Sequence, residues 1–271
     1  MPSLRSIHWL TTLSLDAPLV ALAWQELISE TSGTKIDIHH RILIFASVWL
    51  GYSADRWIDS IRYKETKSTR HLFHKKHRYL YLSIWLGILL SSLTLARIKL
   101  EPAELTRGFI LVVASLIATF LVQAKIFGAK QNWPKSILTA LLITASSTLF
   151  TIPQSGSLNF DYIFLFAVPF GLFLVNCLLI HNWDKELDIS HQEGLGLECE
   201  SLKKRLIATF VITEVLAIYS YFIFSPKLFL AATLSFTLLF LLQKKSDRIH
   251  LDTRRTLADL ALLSPFLLIA L

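Results

Sequence analysis

The sequence predicts an all-α membrane protein with nine transmembrane helices. Of its 271 residues, 53% are hydrophobic and 17% are charged, and the mean hydropathy is +0.52. Soluble domains carry about 25% charged residues, so this composition excludes an ordinary soluble globule. The 18 Phe and 7 Trp, with only 9 Gly and 8 Pro, exclude disordered and collagen-like chains. Two cysteines, Cys177 and Cys199, are too few for a disulfide scaffold.

Nine stretches of the chain are long and apolar enough to cross a bilayer, which takes about 20 residues as an α-helix. The first has one early charge, Arg5, and its apolar run is longer than that of a cleaved signal peptide. The last is short, which leaves eight or ten helices as alternative counts. The predicted spans are 7–29, 36–54, 79–97, 105–127, 134–152, 160–182, 204–224, 227–243 and 256–271.

Basic residues alternate between the loops of the two membrane faces. With the N-terminus in the cytoplasm, 21 of the 27 Lys and Arg residues lie in cytoplasmic segments and 6 on the opposite face. Because cytoplasmic loops are enriched in Lys and Arg, this asymmetry predicts a cytoplasmic N-terminus and an external C-terminus. It also argues against nucleic-acid binding as the reason for the net charge of +7. The external connections are short, so we expect a single transmembrane domain over residues 1–271 with its active site at the cytoplasmic face.

Two Asp-x-x-x-Asp motifs close the second and sixth predicted spans at this cytoplasmic face. The motif residues are Asp55, Asp59, Asp184 and Asp188. Residues four apart on a helix share a face, with Cβ atoms about 5–6 Å apart, so each carboxylate pair repels unless a cation lies between. The negative end of the helix dipole adds to this cost. Hard oxygen ligands in this arrangement predict Mg²⁺. Ion pairs with Arg56, Arg62 and Lys185 are the alternative explanation.

The nine-helix topology and the two motifs resemble the UbiA superfamily of intramembrane prenyltransferases. The first motif of that family is usually Asn-x-x-x-Asp-x-x-x-Asp, and this chain has Gly51 in place of the Asn. The resemblance implies a UbiA-type helical bundle in which the four aspartates hold two Mg²⁺ ions. It also implies that the metals bind the diphosphate of a polyprenyl donor. Departure of the diphosphate leaves an allylic cation, which a lipid-soluble, often aromatic, acceptor then attacks. The candidates for groups that support the metal ligands are Tyr52, Ser53, Asn182, His71 and His74.

Basic residues near the motifs are candidate diphosphate ligands. The segment after the first motif occupies the place of the family's basic loop over the active site. Arg70 is its best candidate, because a guanidinium offers a bidentate fork to phosphate. Arg62 and Lys67 in the same segment, and Lys125 and Lys130 before the fifth span, are further candidates. The alternative for each base is contact with anionic lipid headgroups.

Histidines near the motifs suggest further chemistry. His181 lies one turn before the second motif and is the candidate general base, which makes it a catalytic candidate together with Arg70. His71, His74 and His77 recur every three residues. This spacing permits a transition-metal site such as one for Zn²⁺, and histidines at the membrane interface are the alternative.

Four acids lie inside the predicted spans, where a charge is costly and marks a functional site by default. They are Asp16, Glu26, Glu214 and Asp259. For Asp259, an ion pair with Arg255, four residues earlier, is the simplest expectation. The four acids support a competing hypothesis, a small membrane transporter. Against it, the motif acids concentrate with bases at one face, whereas transport sites usually lie near the bilayer midplane.

The favoured function is therefore Mg²⁺-dependent transfer of an isoprenyl group by an integral, multi-pass membrane enzyme, in the inner membrane if the source is bacterial. Its expected partners are a polyprenyl diphosphate, a lipid-soluble acceptor and membrane lipids, with no nucleic acid. A close alternative is a UbiA-type terpene cyclase, in which the substrate captures its own cation. The missing motif Asn and the histidine-rich loop leave room for that reaction. A non-catalytic relative that keeps only the fold is a further alternative.

Overall fold

The computed structural model describes residues 8–62, 76–124, 133–152, 160–189, 196–223 and 226–269. Side chains at several helix ends, including those of 59–62, 184–189 and 196–203, lie outside this description. The described residues form α-helices joined by short connections, with no β-strand among them. The all-α prediction is confirmed for this part of the chain.

Eleven α-helices follow one another along the described residues, and the short 3₁₀ turn Ser246–Arg248 precedes the tenth. They are α1 (His8–Thr12), α2 (Asp16–Ser32), α3 (Ile38–Arg62), α4 (Arg78–Lys99), α5 (Pro102–Gln123), α6 (Trp133–Thr148), α7 (Phe160–Ile189), α8 (Gly196–Ile223), α9 (Pro226–Lys244), α10 (Leu251–Ala261) and α11 (Ser264–Ile269). The second to eighth predicted spans each correspond to one helix, α3 to α9. Helices α3 and α7 continue beyond their predicted ends, so both Asp motifs lie within helices.

Two predicted spans are wrong as single helices. The first, 7–29, is divided between α1 and α2 at Ser14, whose φ of 61° is left-handed and does not fit an α-helix. The last, 256–271, is divided between α10 and α11. Pro265 is the second residue of α11, a position where the missing proline N–H costs no helical hydrogen bond. Hydropathy alone did not reveal either interruption, because the residues at both breaks are themselves largely apolar.

Four described helices are long and apolar enough to cross a membrane, judged by length and composition. They are α4, Pro102–Val122 of α5, Tyr162–Trp183 of α7, and α9. Only 6% of the apolar stretch is buried in α4 and in α5, and large side chains such as Leu90 and Phe120 are exposed. Water-soluble proteins rarely expose an apolar surface of this extent, so these faces indicate contact with lipid.

Helix α7 supplies much of the main core, packing against α6, α8, α9 and α10. Trp24 of α2 meets Phe173 of α7 edge to face, with ring centroids 5.8 Å apart. The Trp24 indole N–H donates to the carbonyl oxygen of Leu262 at 2.9 Å. Because Leu262 lies in the break between α10 and α11, the interruption of the last span provides the acceptor for this buried donor.

Polar contacts show which helix ends lie together. At one end of the bundle, Glu26 meets Arg41, His40 meets Glu104, and Glu30 meets Lys227. At the other end, Asp55 meets Lys135 and Trp183 meets Gln243. Helices α3 and α9 each begin at the first end and finish at the second. The helix segments that carry the two Asp motifs therefore lie at the same end of the bundle.

Candidate functional site

A cavity of about 150 Å³ opens beside the first Asp motif, between α3, α5 and α6. Asp55 of α3 and Lys135 of α6 supply its charged end. The rest of the lining is mostly apolar, with Val48 and Leu142 among its residues, and it also includes the hydroxyl groups of five Ser and Thr residues, which are Ser47, Ser115, Thr119, Thr139 and Ser146. An apolar cavity of about this volume holds a benzene-sized molecule. The site thus joins a pair of charges to a small apolar interior.

Lys135 forms an ion pair with Asp55, with 3.4 Å between Nζ and Oδ2. The two side chains are 39% and 32% exposed. A long and partly exposed pair of this kind contributes about 1 kcal/mol or less to stability. The Asp55 carboxylate is therefore weakly held and available to a stronger cation.

Lys135 lies in the first turn of α6, so the point at which this helix begins determines the position of Lys135. The helix starts at Trp133, and Pro134 occupies its first turn, where proline favours helix initiation. Lys135 also lies near Cys177 of α7, close enough to act on it electrostatically. Cys177 precedes Asp184 by seven residues, about two helical turns. Helix α6, which carries Lys135, thus packs against both helices that carry the motifs, α3 and α7.

The four motif aspartates lie on two continuous helices. Asp55 and Asp59 belong to α3, and Asp184 and Asp188 belong to α7, so each pair keeps its four-residue spacing on a helix. The side chain of Asp55 lines the cavity. Those of Asp59, Asp184 and Asp188 lie outside the described residues.

Among the candidates for supporting groups, Tyr52 lines the cavity and Ser53 does not. The Tyr52 ring lies against the guanidinium of Arg56, with 4.2 Å from Arg56 Cζ to the ring centroid. Ser53 is buried and donates to the carbonyl of Leu50 at 3.2 Å, within its own helix. On α7, Asn182 is buried and His181, the candidate base, is half-buried.

Most of the remaining candidates lie outside the described residues, and of Arg62 only the backbone is described. The Arg62 backbone ends α3, and His77 immediately precedes α4. The candidates for which nothing is described are Lys67, Arg70, His71, His74, Lys125 and Lys130.

A buried polar cluster beside the cavity was not predicted from the sequence. Arg56 donates to Asp16 Oδ2 at 3.0 Å and also to the carbonyl oxygen of Thr11. Asp259 of α10 accepts a hydrogen bond from Asn176 Nδ2 of α7 at 3.1 Å. Asp259 also lies near enough to Asp16 and Arg56 to interact with them electrostatically. We name Asp16, Arg56, Asn176 and Asp259 the Asp16–Asp259 cluster. Its members come from four helices, so no local sequence pattern links them.

The four acids of the transporter hypothesis lie in three places. Asp16 and Asp259 share the cluster, Glu26 pairs with Arg41 at the other end of the bundle, and Glu214 lies half-buried on α8. Arg255, the expected partner of Asp259, lies 3.4 Å from Asp252.

A second group of potential metal ligands lies at the opposite end of the bundle. Ligand atoms of Asp37, His39 and His40 lie within 4.8 Å of one another. His40 Nδ1 accepts the backbone N–H of Asp37 at 3.2 Å, and His40 Nε2 lies 3.2 Å from Glu104. Both ring nitrogens of His40 thus face protein groups, and the arrangement is explained by interactions at the helix start.

Comparison of the chain with protein-family models, with curated proteins and with solved structures gives no match.

Proposed function

We propose that the chain is an integral, multi-pass membrane enzyme of the UbiA type that transfers an isoprenyl group from a polyprenyl diphosphate to a lipid-soluble aromatic acceptor. The observation that carries the proposal is the cavity at Asp55, where a carboxylate and an ammonium group stand at one end of an apolar interior. A substrate with an anionic head and a hydrocarbon chain suits this combination. The exposed apolar faces of α4 and α5 are consistent with substrates that arrive from lipid.

The donor chemistry at the cavity fits Mg²⁺. Asp55 offers a hard carboxylate oxygen. Its ion pair with Lys135 is long, at 3.4 Å, and partly exposed to solvent. Asp59 follows one turn later on α3, and Asp184 and Asp188 would complete the set from α7 at the same end of the bundle. Mg²⁺ held by these aspartates would act as a Lewis acid toward the diphosphate oxygens.

Lys135 and the apolar walls have separate roles in this proposal. The Lys135 ammonium would bind a phosphate oxygen and stabilise the charge of the leaving diphosphate. Val48, Ala118 and Leu142 would exclude water from the reacting carbon, which favours attack by the acceptor over hydrolysis. The cavity has room for an acceptor ring or a short part of the chain, so the rest of a polyprenyl chain would extend into lipid.

The test is release of pyrophosphate by the purified chain with Mg²⁺, a series of polyprenyl diphosphates and a panel of aromatic acceptors. We expect turnover that requires both Mg²⁺ and an acceptor and that is lost in Asp55→Asn. The matched control is Glu30→Gln, which removes a carboxylate from the ion pair with Lys227 at the other end of the bundle. Turnover without an acceptor would indicate cyclisation or hydrolysis instead. Failure of every diphosphate to bind or react would overturn the proposal.

A further inference from the structure

Three metal-ligating side chains meet where α3 begins, at the end of the bundle opposite Asp55. Ligand atoms of Asp37, His39 and His40 lie within 4.8 Å of one another. Successive residues of a helix point in different directions. The His39 and His40 rings nevertheless lie side by side, with centroids 4.1 Å apart. Two imidazoles and one carboxylate form a ligand set that suits divalent transition metals such as Zn²⁺.

The interactions at the helix start explain the position of His40, but they do not use the Asp37 carboxylate or the His39 ring. These two groups make no hydrogen bond or ion pair within the part of the chain that the structure describes. An acid at the start of a helix commonly accepts a backbone N–H of the first turn. No described N–H of α3 donates to the Asp37 carboxylate, so helix capping does not account for this group.

The two ring nitrogens of His40 face different groups. Nδ1 accepts the Asp37 backbone N–H at 3.2 Å, which is the long end of the hydrogen-bond range. Nε2 lies 3.2 Å from Oε1 of Glu104 in α5, without the alignment of a hydrogen bond. The start of α5 fixes Glu104, because its Oε2 accepts the Glu101 N–H at 3.0 Å. His40 and Glu104 are only 8% and 9% exposed, so this buried imidazole lacks a strong partner on either side.

We propose that Asp37, His39 and Nδ1 of His40 bind one Zn²⁺ ion. In the neutral ring that accepts the Asp37 N–H, the proton lies on Nε2, which is the tautomer that a metal on Nδ1 requires. Nε2 then faces the Glu104 carboxylate. A carboxylate beside the far nitrogen of a metal-binding imidazole orients the ring and raises its basicity.

The distances and the exposure of the side chains permit this coordination. Tetrahedral ligands about 2.0–2.1 Å from Zn²⁺ lie about 3.3 Å from one another. From separations of up to 4.8 Å, the three atoms would therefore close by about 1.5 Å or less. Asp37 is exposed and His39 is half-buried, so both side chains have space to turn. Water would take the fourth position, as in other zinc sites with three protein ligands.

The charges around the group suit a divalent cation. Asp37 and Glu104 supply two negative charges, which offset those of Zn²⁺. Arg41 acts electrostatically on Asp37 but donates to Glu26 Oε2 at 3.0 Å, so it does not occupy the Asp37 carboxylate. The ion would strengthen the contact between the starts of α3 and α5 that His40 and Glu104 form. This inference does not depend on the proposed prenyl transfer, whose candidate metal ligands lie at the other end of the bundle.

The test is a calorimetric titration with Zn²⁺ of the full chain in detergent, purified without a histidine tag and stripped of metal with a chelator. We expect one site, with an affinity that falls by more than about 100-fold in Asp37→Asn and in His39→Asn. Glu104→Gln should weaken binding by about 10–100-fold, which is the usual effect of losing a partner of a metal-binding histidine. Because neither the Asp37 carboxylate nor the His39 ring bonds to another described group, these two variants should fold.

Two substitutions serve as matched controls. Glu30→Gln removes a carboxylate at the same end of the bundle, and His250→Asn removes an exposed histidine immediately before α10. Both variants should keep the affinity of the unmodified chain. Zn²⁺ should also raise the thermal midpoint of the unmodified chain and of both controls, because it binds the folded state, and should not do so in His39→Asn.

Three results would overturn the inference. The first is an unmodified chain that does not bind Zn²⁺. The second is an affinity that is unchanged in both Asp37→Asn and His39→Asn. The third is a site that is lost in His71→Asn or Asp55→Asn while His39→Asn retains it, which would place the ion at the Asp motifs or in the histidine-rich segment.

Discussion

The Lys135 ammonium of α6 lies 3.4 Å from the Asp55 carboxylate of α3, at the charged end of the apolar cavity. This contact joins the first Asp motif to a base that lies 80 residues further along the chain. The pair is half-exposed and weak in itself. The pair nevertheless offers two binding groups to a ligand that enters the cavity, because an anion would contact Lys135 and a cation would contact Asp55.

Lys135→Gln is expected to lower kcat/KM for the polyprenyl diphosphate by about 10²-fold, because it removes a charge that stabilises the departing phosphate. Steady-state pyrophosphate release measures the effect. Lys227→Gln is the matched control, since Lys227 pairs with Glu30 at 2.8 Å at the opposite end of the bundle. If Lys135 served only to neutralise Asp55, Lys135→Gln would alter the Mg²⁺ requirement and leave kcat/KM at saturating Mg²⁺ unchanged.

Gly51→Asn is expected to lower the Mg²⁺ concentration needed for half-maximal turnover. Gly51 lines the cavity one helical turn before Asp55, and a Cβ added there would meet no heavy atom within 4 Å, so a side chain can begin there without a clash. The substitution introduces the Asn of the UbiA first motif, which this chain lacks, and supplies an amide oxygen one turn before the carboxylate. Gly108→Asn, at another helical glycine with open space, should leave the Mg²⁺ requirement unchanged. An unaltered requirement in Gly51→Asn would place the metal away from residue 51.

Arg56→Met is expected to destabilise the chain by about 3–5 kcal/mol, because it leaves the Asp16 carboxylate buried without its cation. The comparison is Arg41→Met, which breaks the more exposed pair with Glu26 and should cost about 1 kcal/mol or less. Denaturant unfolding in detergent, followed by circular dichroism, measures both variants. Equal losses would show that Arg56 and Asp16 do not form a buried pair in solution.

The helices were predictable from the sequence, and the contacts between them were not. Apolar runs indicate helices wherever the backbone continues, but the break at Ser14 depends on one left-handed residue in an otherwise apolar stretch. The pairing of Asp259 was predicted from its neighbour Arg255, because only local spacing is visible in a sequence. Its observed neighbours, Asn176 and Asp16, come from helices 83 and 243 residues away along the chain.

The residues of the candidate site were likewise predictable where a local sequence pattern marks them, and not where they depend on the packing of distant helices. Asp55 was identified because it recurs with Asp59 at helical spacing. Lys125 and Lys130 were chosen as candidates and Lys135 was not, because charge alone does not tell the three lysines apart. The selection of Lys135 depends on where α6 begins and on the packing of α6 against α3.

Gly171→Ala is expected to destabilise the chain by about 1–3 kcal/mol through overpacking between α7 and α8. A Cβ at Gly171 would lie 2.6 Å from Cγ2 of Thr213 and closer still to its hydroxyl oxygen. Thr213 is buried, and its hydroxyl donates to the Thr209 carbonyl at 2.7 Å, so the side chain has little freedom to move aside. Thermal or denaturant unfolding measures the loss.

The control for this contact is Gly108→Ala, because a Cβ there meets no heavy atom within 4 Å. It should stabilise the chain by roughly 0.5–1 kcal/mol, since alanine is the better helix former. In a Thr213→Ala background the cost of Gly171→Ala should become smaller, because the hydroxyl and methyl groups are gone, but it should not vanish, because the Cβ of residue 213 remains 2.9 Å from the added Cβ. An undiminished cost in that background would show that the Thr213 hydroxyl and methyl groups do not cause it, because the coupling energy of the double-mutant cycle reports the contact itself.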